Sequence, residues 1–223
     1  MPLLKKRYNW TILNQLLEIH AGKKREIDSR LREFRLCGRR CTDEELFGEL
    51  VFCLLTPQSR AKCCWNAVLS IKEQNLLTDG TVDQIRDRLH RVRFHNKKAG
   101  YVVEARSLCM KDGRFSIRRI IQSHADCRAL REWLAENIRG LGYKEASHFL
   151  RNIGLGENIA ILDRHILKNL LLLGVIKEIP GSLSRGAYLL TEQRMAEFAL
   201  STGIPLAHLD LLLWYKETGE IFK

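Results

Sequence analysis

A lysine just after a glycine-rich turn is the residue in this chain best placed for nucleophilic chemistry. Ile138–Ala146 has the pattern of two helices joined by a tight turn, with Gly140 and Gly142 in the turn and Lys144 in the first turn of the second helix. The positive end of the helix dipole disfavours a protonated amine there, and a neutral amine is what nucleophilic attack requires. A surface lysine or a simple phosphate contact is the alternative interpretation of Lys144.

The turn itself is suited to binding a phosphate oxygen. Gly140 and Gly142 can adopt positive φ and let another backbone come close. The turn also exposes backbone N–H groups at the N-terminus of the second helix, where anions bind. An ordinary helical hairpin with a glycine cap is the alternative, which the glycines alone do not exclude.

A carboxylate follows Lys144 at a distance of nineteen residues. The apolar run Ile159–Leu162 leads to Asp163 at the start of the next helix. Capping a helix is the commonest use of Asp at such a position. A carboxylate held by N–H groups also stays ionised and can stabilise a nearby positive charge, so both roles can coexist. His165, in the first turn of that helix, has either a phosphate contact or a packing role.

The hydrophobic pattern that positions these residues is helical almost throughout. Two helices are expected near the N-terminus, Asn9–His20 and Arg25–Leu36, the second ending near Gly38. Capping boxes at Thr42–Glu45 and Thr81–Gln84 mark the starts of later helices. No clear strand is expected, so the sequence predicts an all-α fold.

The charge of the chain favours a polyanionic partner. Lys and Arg number 37 against 26 Asp and Glu, which gives a net charge of +11 and an isoelectric point of about 9.5. Such a balance is typical of nucleic-acid binding proteins, although a basic solvated surface is the alternative. The apolar stretch 166–176 is too short to span a bilayer, so no membrane partner is expected.

The seven cysteines show no regular spacing. We expect no signal peptide before them, because the first residues turn polar at once. We expect reduced thiols in a cytoplasmic protein. Cys37 and Cys41 could share a metal ion, but no second pair completes a tetrahedral set. We therefore expect no metal site.

The pattern Gly140-x-Gly142-x-Lys144-x-Ala146, followed by Asp163-x-His165, resembles the bifunctional members of the helix-hairpin-helix DNA glycosylase superfamily. The chain is similar in particular to the archaeal and thermophile branch of 8-oxoguanine DNA glycosylases, the second of three such families. The markers of that branch are Leu54–Lys62, Gly140–Asn152 and Asp210–Tyr215, with Lys223 at the end. The first 40 residues carry little of the resemblance.

The resemblance implies a mechanism. Lys144 attacks C1′ of the damaged nucleotide and forms a Schiff base, while Asp163 supports the developing sugar cation and assists proton transfer. The imine acidifies the C2′ proton, so that β-elimination cuts the strand. The target base must first leave the stack. Double-stranded DNA containing 8-oxoguanine is the implied partner, in the cytoplasm with the nucleoid.

The resemblance also implies residues that hold the base. Trp214 is the stacking wall for the flipped base, with a core aromatic as the alternative, and Asp210 lies one helical turn before it. The terminal carboxylate of Lys223 is an acceptor for the N7–H that 8-oxoguanine has and guanine lacks, with a frayed terminus as the alternative. Phe94 is the opposite stacking face.

Further residues are expected on the DNA. Gln58 and Ser59 match the loop that enters the gap in the duplex. Arg60, Lys62 and Lys97 are basic residues that could contact phosphates, although the sequence does not say which of them face the DNA.

The implied architecture is the helix-hairpin-helix glycosylase fold, with two helical subdomains and the active site in the cleft between them. We expect one subdomain at residues 42–135 and the other at 1–41 together with 136–223. No Cys follows Cys127, so an iron–sulfur cluster and the cluster-bearing members of the superfamily are not expected. A monomer is expected, because one active site on one duplex needs no symmetry.

Two other functions stay open at this point. The same fold and mechanism could act on an oxidised pyrimidine or another damaged base, since the chemistry at C1′ is shared. Alternatively, the chain could be a non-catalytic helix-hairpin-helix DNA-binding module, which the pairing of Lys144 with Asp163 disfavours.

Overall fold

The structure is a computed structural model that describes residues 8–223. These residues form helices and one short hairpin. The helices are α1 (Trp10–Arg40), α2 (Asp43–Leu55), α3 (Ala61–Glu73), α4 (Leu76–Asp79), α5 (Val82–Arg86), α6 (His95–Cys109), α7 (Ile117–Gln122), α8 (Cys127–Asn137), α9 (Tyr143–Asn152), α10 (Arg164–Leu172), α11 (Arg185–Thr202) and α12 (Leu206–Thr218). The strands are β1 (Met110–Lys111) and β2 (Arg114–Phe115). The predicted all-α fold is confirmed.

The N-terminal region forms one helix of 31 residues, α1, where the sequence predicted two. The predicted break was wrong because Gly22 costs a helix only about 1 kcal/mol relative to Ala, and its neighbours favour a helix. Lys23 pairs with Glu26 and Lys24 with Asp28, both at 2.8 Å, which are i,i+3 and i,i+4 contacts of a continuous helix.

The predicted stop near Gly38 was also wrong, because α1 continues to Arg40. Gly38 serves a close approach instead: a Cβ there would lie 2.0 Å from the carbonyl oxygen of Ile153. The two capping boxes are confirmed at the starts of α2 and α5, where Thr42 pairs with Glu45 and Thr81 with Gln84.

The sequence missed the two-stranded hairpin. Met110 pairs with Phe115 and Lys111 with Arg114, which leaves Asp112 and Gly113 as a two-residue loop. Both loop residues have positive φ, 52° and 73°. This is the turn that an Asp-Gly pair favours in antiparallel hairpins, so the signal was present in the sequence.

The chain divides into two compact units. The central unit is Arg35–Leu155, and the terminal unit is the chain up to Phe34 together with Gly156–Lys223. The predicted subdomains were residues 42–135 and residues 1–41 together with 136–223. That division puts the helical hairpin 138–146 with the chain termini, whereas the structure has it in the central unit. Residues 1–7 lie outside the described residues. The difference arises because α9 packs against α2 and α8 within the central unit.

The core of the central unit is α2, whose residues Leu46–Leu55 are all buried. It packs against α3, α6, α7 and α9. In the terminal unit, α12 packs against α10 and α11, and its stretch Ala207–Leu213 is buried. Each unit therefore has one apolar helix around which the others assemble.

Among the described residues, no single helix has both the length and the apolar composition to cross a membrane. Helices α11 and α12 meet those criteria only as a pair, and they are bent by 97° at their junction.

Candidate active site

The turn before α9 has positive φ at Gly140 but not at Gly142, whose φ is −94°. Gly140 has φ 86°, and a Cβ at this position would lie 2.4 Å from Cδ2 of Tyr101 on α6. Leu141 is 3% exposed, so it anchors the turn in the core. Gly142 is the N-cap of α9, and its carbonyl oxygen accepts from Ala146 N at 2.9 Å. The helix thus begins at an exposed glycine backbone.

Lys144 lies in the first turn of α9 with its side chain 24% exposed. Its Nζ is 2.9 Å from Oε1 of Glu145, whose side chain is 12% exposed. The amine is therefore partly withdrawn from solvent and has a carboxylate beside it. The sequence analysis did not single out Glu145; the signal was an acidic residue in the first turn of a helix.

Asp163 is the N-cap of α10, as one of its two interpretations predicted. Its Oδ1 accepts from His165 N and Ile166 N, both at 2.8 Å. Both bonds end on one oxygen, so the orientation of the carboxylate is fixed while Oδ2 keeps its acceptor capacity. The cap bonds therefore leave one carboxylate oxygen for a second function.

The segment that leads to Asp163 is held by α11. Tyr188 Oη donates to the carbonyl oxygen of Ala160 at 2.7 Å and accepts from Leu162 N at 3.3 Å. Glu192 Oε1 accepts from Ala160 N at 2.7 Å. These buried bonds satisfy an extended backbone that has no strand partner, and they fix the point at which the aspartate is presented.

His165 and Trp214 are neighbours in the terminal unit. Their ring centroids are 5.2 Å apart with planes at 87°, an edge-on contact. His165 Nδ1 is 3.7 Å from Oε2 of Glu217, and the same oxygen accepts from Lys168 Nζ at 2.8 Å. The Lys168 hydrogen bond is the main reason that the pKa of Glu217 lies below its usual range. Trp214 is half-buried, and its role as a stacking wall stays a prediction.

Asp210 and the C-terminal segment belong to the same unit. Asp210 is 5% exposed on α12, one turn before Trp214. Ile221 is 7% exposed, and its carbonyl oxygen accepts from Arg30 Nη2 at 3.4 Å. The residues before Lys223 are therefore packed rather than frayed, and Lys223 is half-buried.

Gln58 and Phe94 share an unusual backbone. Gln58 has φ 56° and Phe94 has φ 61°, both in the left-handed region that non-glycine residues rarely occupy. Phe94 is the N-cap of α6 and its side chain is 49% exposed; Gln58 is exposed as well. Strained, exposed side chains of this kind concentrate at binding sites.

Ser59 joins the two strained segments. Its Oγ accepts from Arg93 N at 3.0 Å and from Nζ of Lys98 at 3.2 Å. Lys98 was missed by the sequence analysis, because its partners are about 40 residues away and no local pattern marks it. Arg60 and Lys62 are exposed at the start of α3, and their contact with DNA stays a prediction.

The candidate residues thus fall into two groups, one in each unit. The central unit carries the hairpin glycines, the lysine and the residues of the two strained segments: Gln58, Ser59, Arg60, Lys62, Phe94, Gly140, Gly142 and Lys144. The terminal unit carries Asp163, His165, Asp210, Trp214 and Lys223.

No group of three or more His, Cys, Asp or Glu side chains that could hold a metal ion occurs among residues 8–223. The expected absence of a metal stays a prediction. Cys41 Sγ donates to Cys37 Sγ at 3.1 Å, so the pair considered as metal ligands does lie together at the end of α1.

Comparison with known proteins matches most of the chain to one family. The profile of the Ogg-HhH family, described as 8-oxoguanine DNA glycosylase, matches residues 27–204. A protein of Fusobacterium nucleatum named 8-oxoguanine DNA glycosylase/AP lyase is 43% identical over 210 residues, which are 94% of this chain and 97% of that protein.

Solved structures of the same kind superpose on the chain. The 8-oxoguanine DNA glycosylase of Methanocaldococcus jannaschii matches with a TM-score of 0.85 at 34% identity, over 96% of this chain and 97% of that one. The enzyme from the same organism, described as an 8-oxoguanine glycosylase/lyase in complex with a 15mer DNA containing 8-oxoguanine, matches with a TM-score of 0.84 at 34% identity over both full lengths. This chain belongs to the Ogg-HhH family of 8-oxoguanine DNA glycosylases.

Proposed function

We propose that this protein is a bifunctional DNA repair enzyme, which excises 8-oxoguanine from double-stranded DNA and then cuts the strand at the resulting abasic site. The observation that carries the proposal is the partly buried amine of Lys144 at the start of α9, directly after the Gly140–Gly142 turn. A turn that binds a DNA phosphate would serve binding alone if no nucleophile lay near it. Here the amine of Lys144 follows the turn directly, which would bring it close to a bound DNA strand.

The first step is attack on the sugar. The neutral Nζ of Lys144 forms a bond to C1′, the bond between C1′ and the base nitrogen breaks, and its electron pair leaves with the base. Glu145, 2.9 Å from Nζ, is the nearest acceptor for the proton that the amine must lose. The carboxylate of Asp163, oriented as the cap of α10, supports the positive charge on the sugar.

The second step follows from the covalent intermediate. Opening of the sugar ring gives an imine between Nζ and C1′, and the imine makes the C2′ proton acidic. Loss of that proton to a base forms a double bond between C2′ and C3′, and the 3′ phosphate leaves with the electron pair of the C3′–O bond. Water then releases Lys144. Splitting one difficult displacement into these steps is the advantage of covalent catalysis.

The choice of 8-oxoguanine rests on the residues that face the base in the family. We propose that Trp214 and Phe94 stack on its two faces and that Asp210 contacts its edge. The Lys223 carboxylate accepts the N7–H that guanine lacks. A site with an acceptor for this proton rejects guanine strongly, because the acceptor would otherwise be desolvated without a partner.

The partner and setting follow from the chemistry. We propose that the protein binds duplex DNA as a monomer in the cytoplasm, with the nucleoid, and that it needs no metal or other cofactor. The Gly140–Gly142 turn, His165, Arg60 and Lys62 are the proposed phosphate contacts, and Gln58 and Ser59 enter the gap that the flipped base leaves.

Borohydride trapping tests the function, the nucleophile and the substrate together. The protein is mixed with duplexes that carry 8-oxoguanine, thymine glycol or undamaged guanine, then reduced and separated on a denaturing gel. We expect a covalent band only with 8-oxoguanine. We expect Lys144→Gln to bind the lesion duplex but to give no band, no excision and no cleavage.

Lys111→Gln is the matched control, because Lys111 is an exposed lysine of the same unit on β1. It is expected to give the same band as the unaltered protein. A band with thymine glycol instead would keep the mechanism and change the substrate. Tight binding without a band on any lesion would contradict the proposed role of Lys144 and favour a DNA-binding module.

A further inference from the structure

Lys98 is a buried lysine that the proposed mechanism does not use. It lies on α6 and is 4% exposed. Its Nζ donates to the carbonyl oxygens of Leu55 and Pro57, both at 2.7 Å, and to Ser59 Oγ at 3.2 Å. Leu55 is the last residue of α2, and Pro57 and Ser59 lie in the loop that leads to α3, so one ammonium group holds this loop from within the core.

The charge of Lys98 has a cost that simple packing would avoid. Burial lowers its pKa to about 8, against the opposing influence of Cys64 and Glu145. An apolar side chain of similar length would fill the same space without this desolvation. What an apolar side chain cannot supply is three directed donors from one point.

The same lysine is tied to the Phe94 turn. Its backbone N donates to the carbonyl oxygen of Phe94 at 3.0 Å, which closes the first turn of α6. Ser59 Oγ receives a second donor, the backbone N of Arg93, at 3.0 Å. The serine hydroxyl therefore joins the loop that carries Gln58 to the turn that carries Phe94, and Lys98 holds both sides of the joint.

Both ends of this joint are strained. Gln58 and Phe94 have φ of 56° and 61°. A non-glycine residue in the left-handed region costs about 1–2 kcal/mol, and such a conformation persists only where surrounding contacts impose it. The three bonds of Lys98 and the Ser59–Arg93 bond are the contacts that the structure provides for this purpose.

We propose that Lys98 is a positioning residue for base flipping, an inference that rests on the proposed function. It locks the Gln58 loop and the Phe94 turn into one preformed surface. The side chain that fills the gap in the duplex and the ring that stacks on the extruded base are then presented together, before the DNA binds. Lys98 contacts no reacting atom in this scheme and acts only through the two segments that it joins.

The test separates flipping from the chemistry that follows it. The flipping rate is measured by the fluorescence of 2-aminopurine next to 8-oxoguanine in a duplex, and excision is measured in single turnover on the same duplex. Cleavage of a single strand with a preformed abasic site needs no flipping and serves as the internal reference. We expect Lys98→Met to slow flipping and duplex excision by about tenfold or more, and single-strand cleavage by less than about twofold.

Cys109→Ala is the matched control. Cys109 is 1% exposed at the far end of α6, the helix that carries Lys98, and it lies about three turns beyond that lysine. We expect it to lower the melting temperature without changing the ratio of duplex excision to single-strand cleavage. Ser59→Ala, which removes the shared acceptor at a half-buried site, is expected to lower that ratio and carries the test if Lys98→Met does not fold.

Two results would overturn the inference. One is that Lys98→Met and Ser59→Ala lose duplex excision and single-strand cleavage equally, to a degree that follows their lower melting temperatures. That result would mean that Lys98 has a structural role only. The other is an unchanged flipping rate in both variants. If the unaltered protein itself does not excise 8-oxoguanine, the proposed function fails instead, and the unaltered protein alone shows this.

Discussion

In the central unit, three candidate residues have a left-handed backbone: Gln58 at 56°, Phe94 at 61° and Gly140 at 86°. In the terminal unit, Asp163 caps a regular helix and Trp214 lies within one. The first group is held by hydrogen bonds that end on backbone atoms or on one serine. In the second group, the Asp163 carboxylate accepts from two backbone N–H groups of its own helix, and Trp214 is in edge-on contact with the His165 ring.

The two kinds of support fit the roles that we propose for the two units. A loop that enters the duplex needs a defined backbone before the DNA arrives, since ordering it on binding would cost affinity. A carboxylate and a stacking ring that act on an extruded nucleotide need side-chain orientation and charge. We therefore expect backbone substitutions to damage the central unit most, and charge substitutions to damage the terminal unit most.

The largest effect is expected from Asp163→Asn. Asn caps helices nearly as well as Asp, so the melting temperature stays the same while the charge is lost. We expect excision to slow by about 100-fold or more, because removing one preorganised group that stabilises charge in a transition state slows a reaction by about this factor. Single-turnover excision and thermal unfolding measure the two quantities.

Asp126→Asn is the matched control in the central unit. Asp126 caps α8 and accepts from Arg128 N at 2.8 Å and from Ala129 N at 2.9 Å, the same pair of bonds. It is expected to leave both stability and excision unchanged. A similar loss of excision in both variants would mean that the effect comes from the cap and not from the charge.

The next largest effect is expected from Gly140→Ala. The added Cβ meets the Tyr101 ring at 2.4 Å, and φ of 86° is unfavourable for alanine. We expect the free energy of unfolding to fall by about 2–4 kcal/mol from strain and overpacking together. Urea titration measures it, and binding to undamaged duplex DNA is expected to weaken in parallel.

Gly113→Ala and Tyr101→Ala separate the two contributions. Gly113 has φ 73° but no atom within 4 Å of a built Cβ, so it reports strain alone, about 1–2 kcal/mol. Combining Gly140→Ala with Tyr101→Ala is expected to recover the overpacking part. Equal losses for Gly140→Ala and Gly113→Ala would contradict the role of the Tyr101 contact.

A smaller effect is expected from Glu217→Gln, which removes the carboxylate shared by Lys168 and His165. The free energy of unfolding should fall by about 0.5–1 kcal/mol at low salt, and the loss should shrink at 1 M salt because such pairs are screened. The Lys98 joint lies in the core, so the effect of Lys98→Met on flipping should change much less with salt. A salt-independent loss in Glu217→Gln would remove this contrast.

The smallest effect is a response to acid in the terminal unit. His20 Nε2 and His208 Nδ1 are 3.1 Å apart, and His208 Nε2 is 3.2 Å from Asp28 Oδ1. Burial is the main reason that the pKa of each histidine lies below 6.5. The unfolded chain therefore binds protons more readily than the folded one as the pH falls below 6.5, and stability is lost in that range.

We expect the melting temperature to be about 2 °C lower at pH 5.5 than at pH 7.5 on this account. His208→Gln is expected to reduce the difference between the two pH values. If His208→Gln keeps the full difference, the acid response belongs to other groups.

Sequence alone predicted what depends on neighbours in the chain. The caps at Thr42, Thr81 and Asp163 are bonds to residues two or three positions away, so their chemistry is visible locally. The turn at Gly140 and Gly142 was predicted for the same reason. Two local signals were missed: Glu145 as an acidic residue in the first turn of α9, and the Asp112–Gly113 loop, which joins strands of only two residues.

What could not be predicted depends on residues far apart in the sequence. The acceptors of Lys98 lie 39 to 43 residues before it, and no periodicity marks a lysine that turns inward. The continuity of α1 through Gly22 likewise depends on the balance between one unfavourable residue and favourable neighbours on both sides. The contact between Tyr101 and Gly140 also joins residues that lie 39 positions apart in the chain.

Helix α6 has a consequence for how this chain can vary in length. It carries Phe94 at its cap, Lys98 one turn later and Tyr101 under the hairpin turn. Inserting or deleting one residue between Phe94 and Tyr101 would rotate the later positions by about 100° relative to the earlier ones. All three attachments would then be out of register at once. Changes of length should therefore be tolerated at the Asp112–Gly113 loop and excluded from the first two turns of α6.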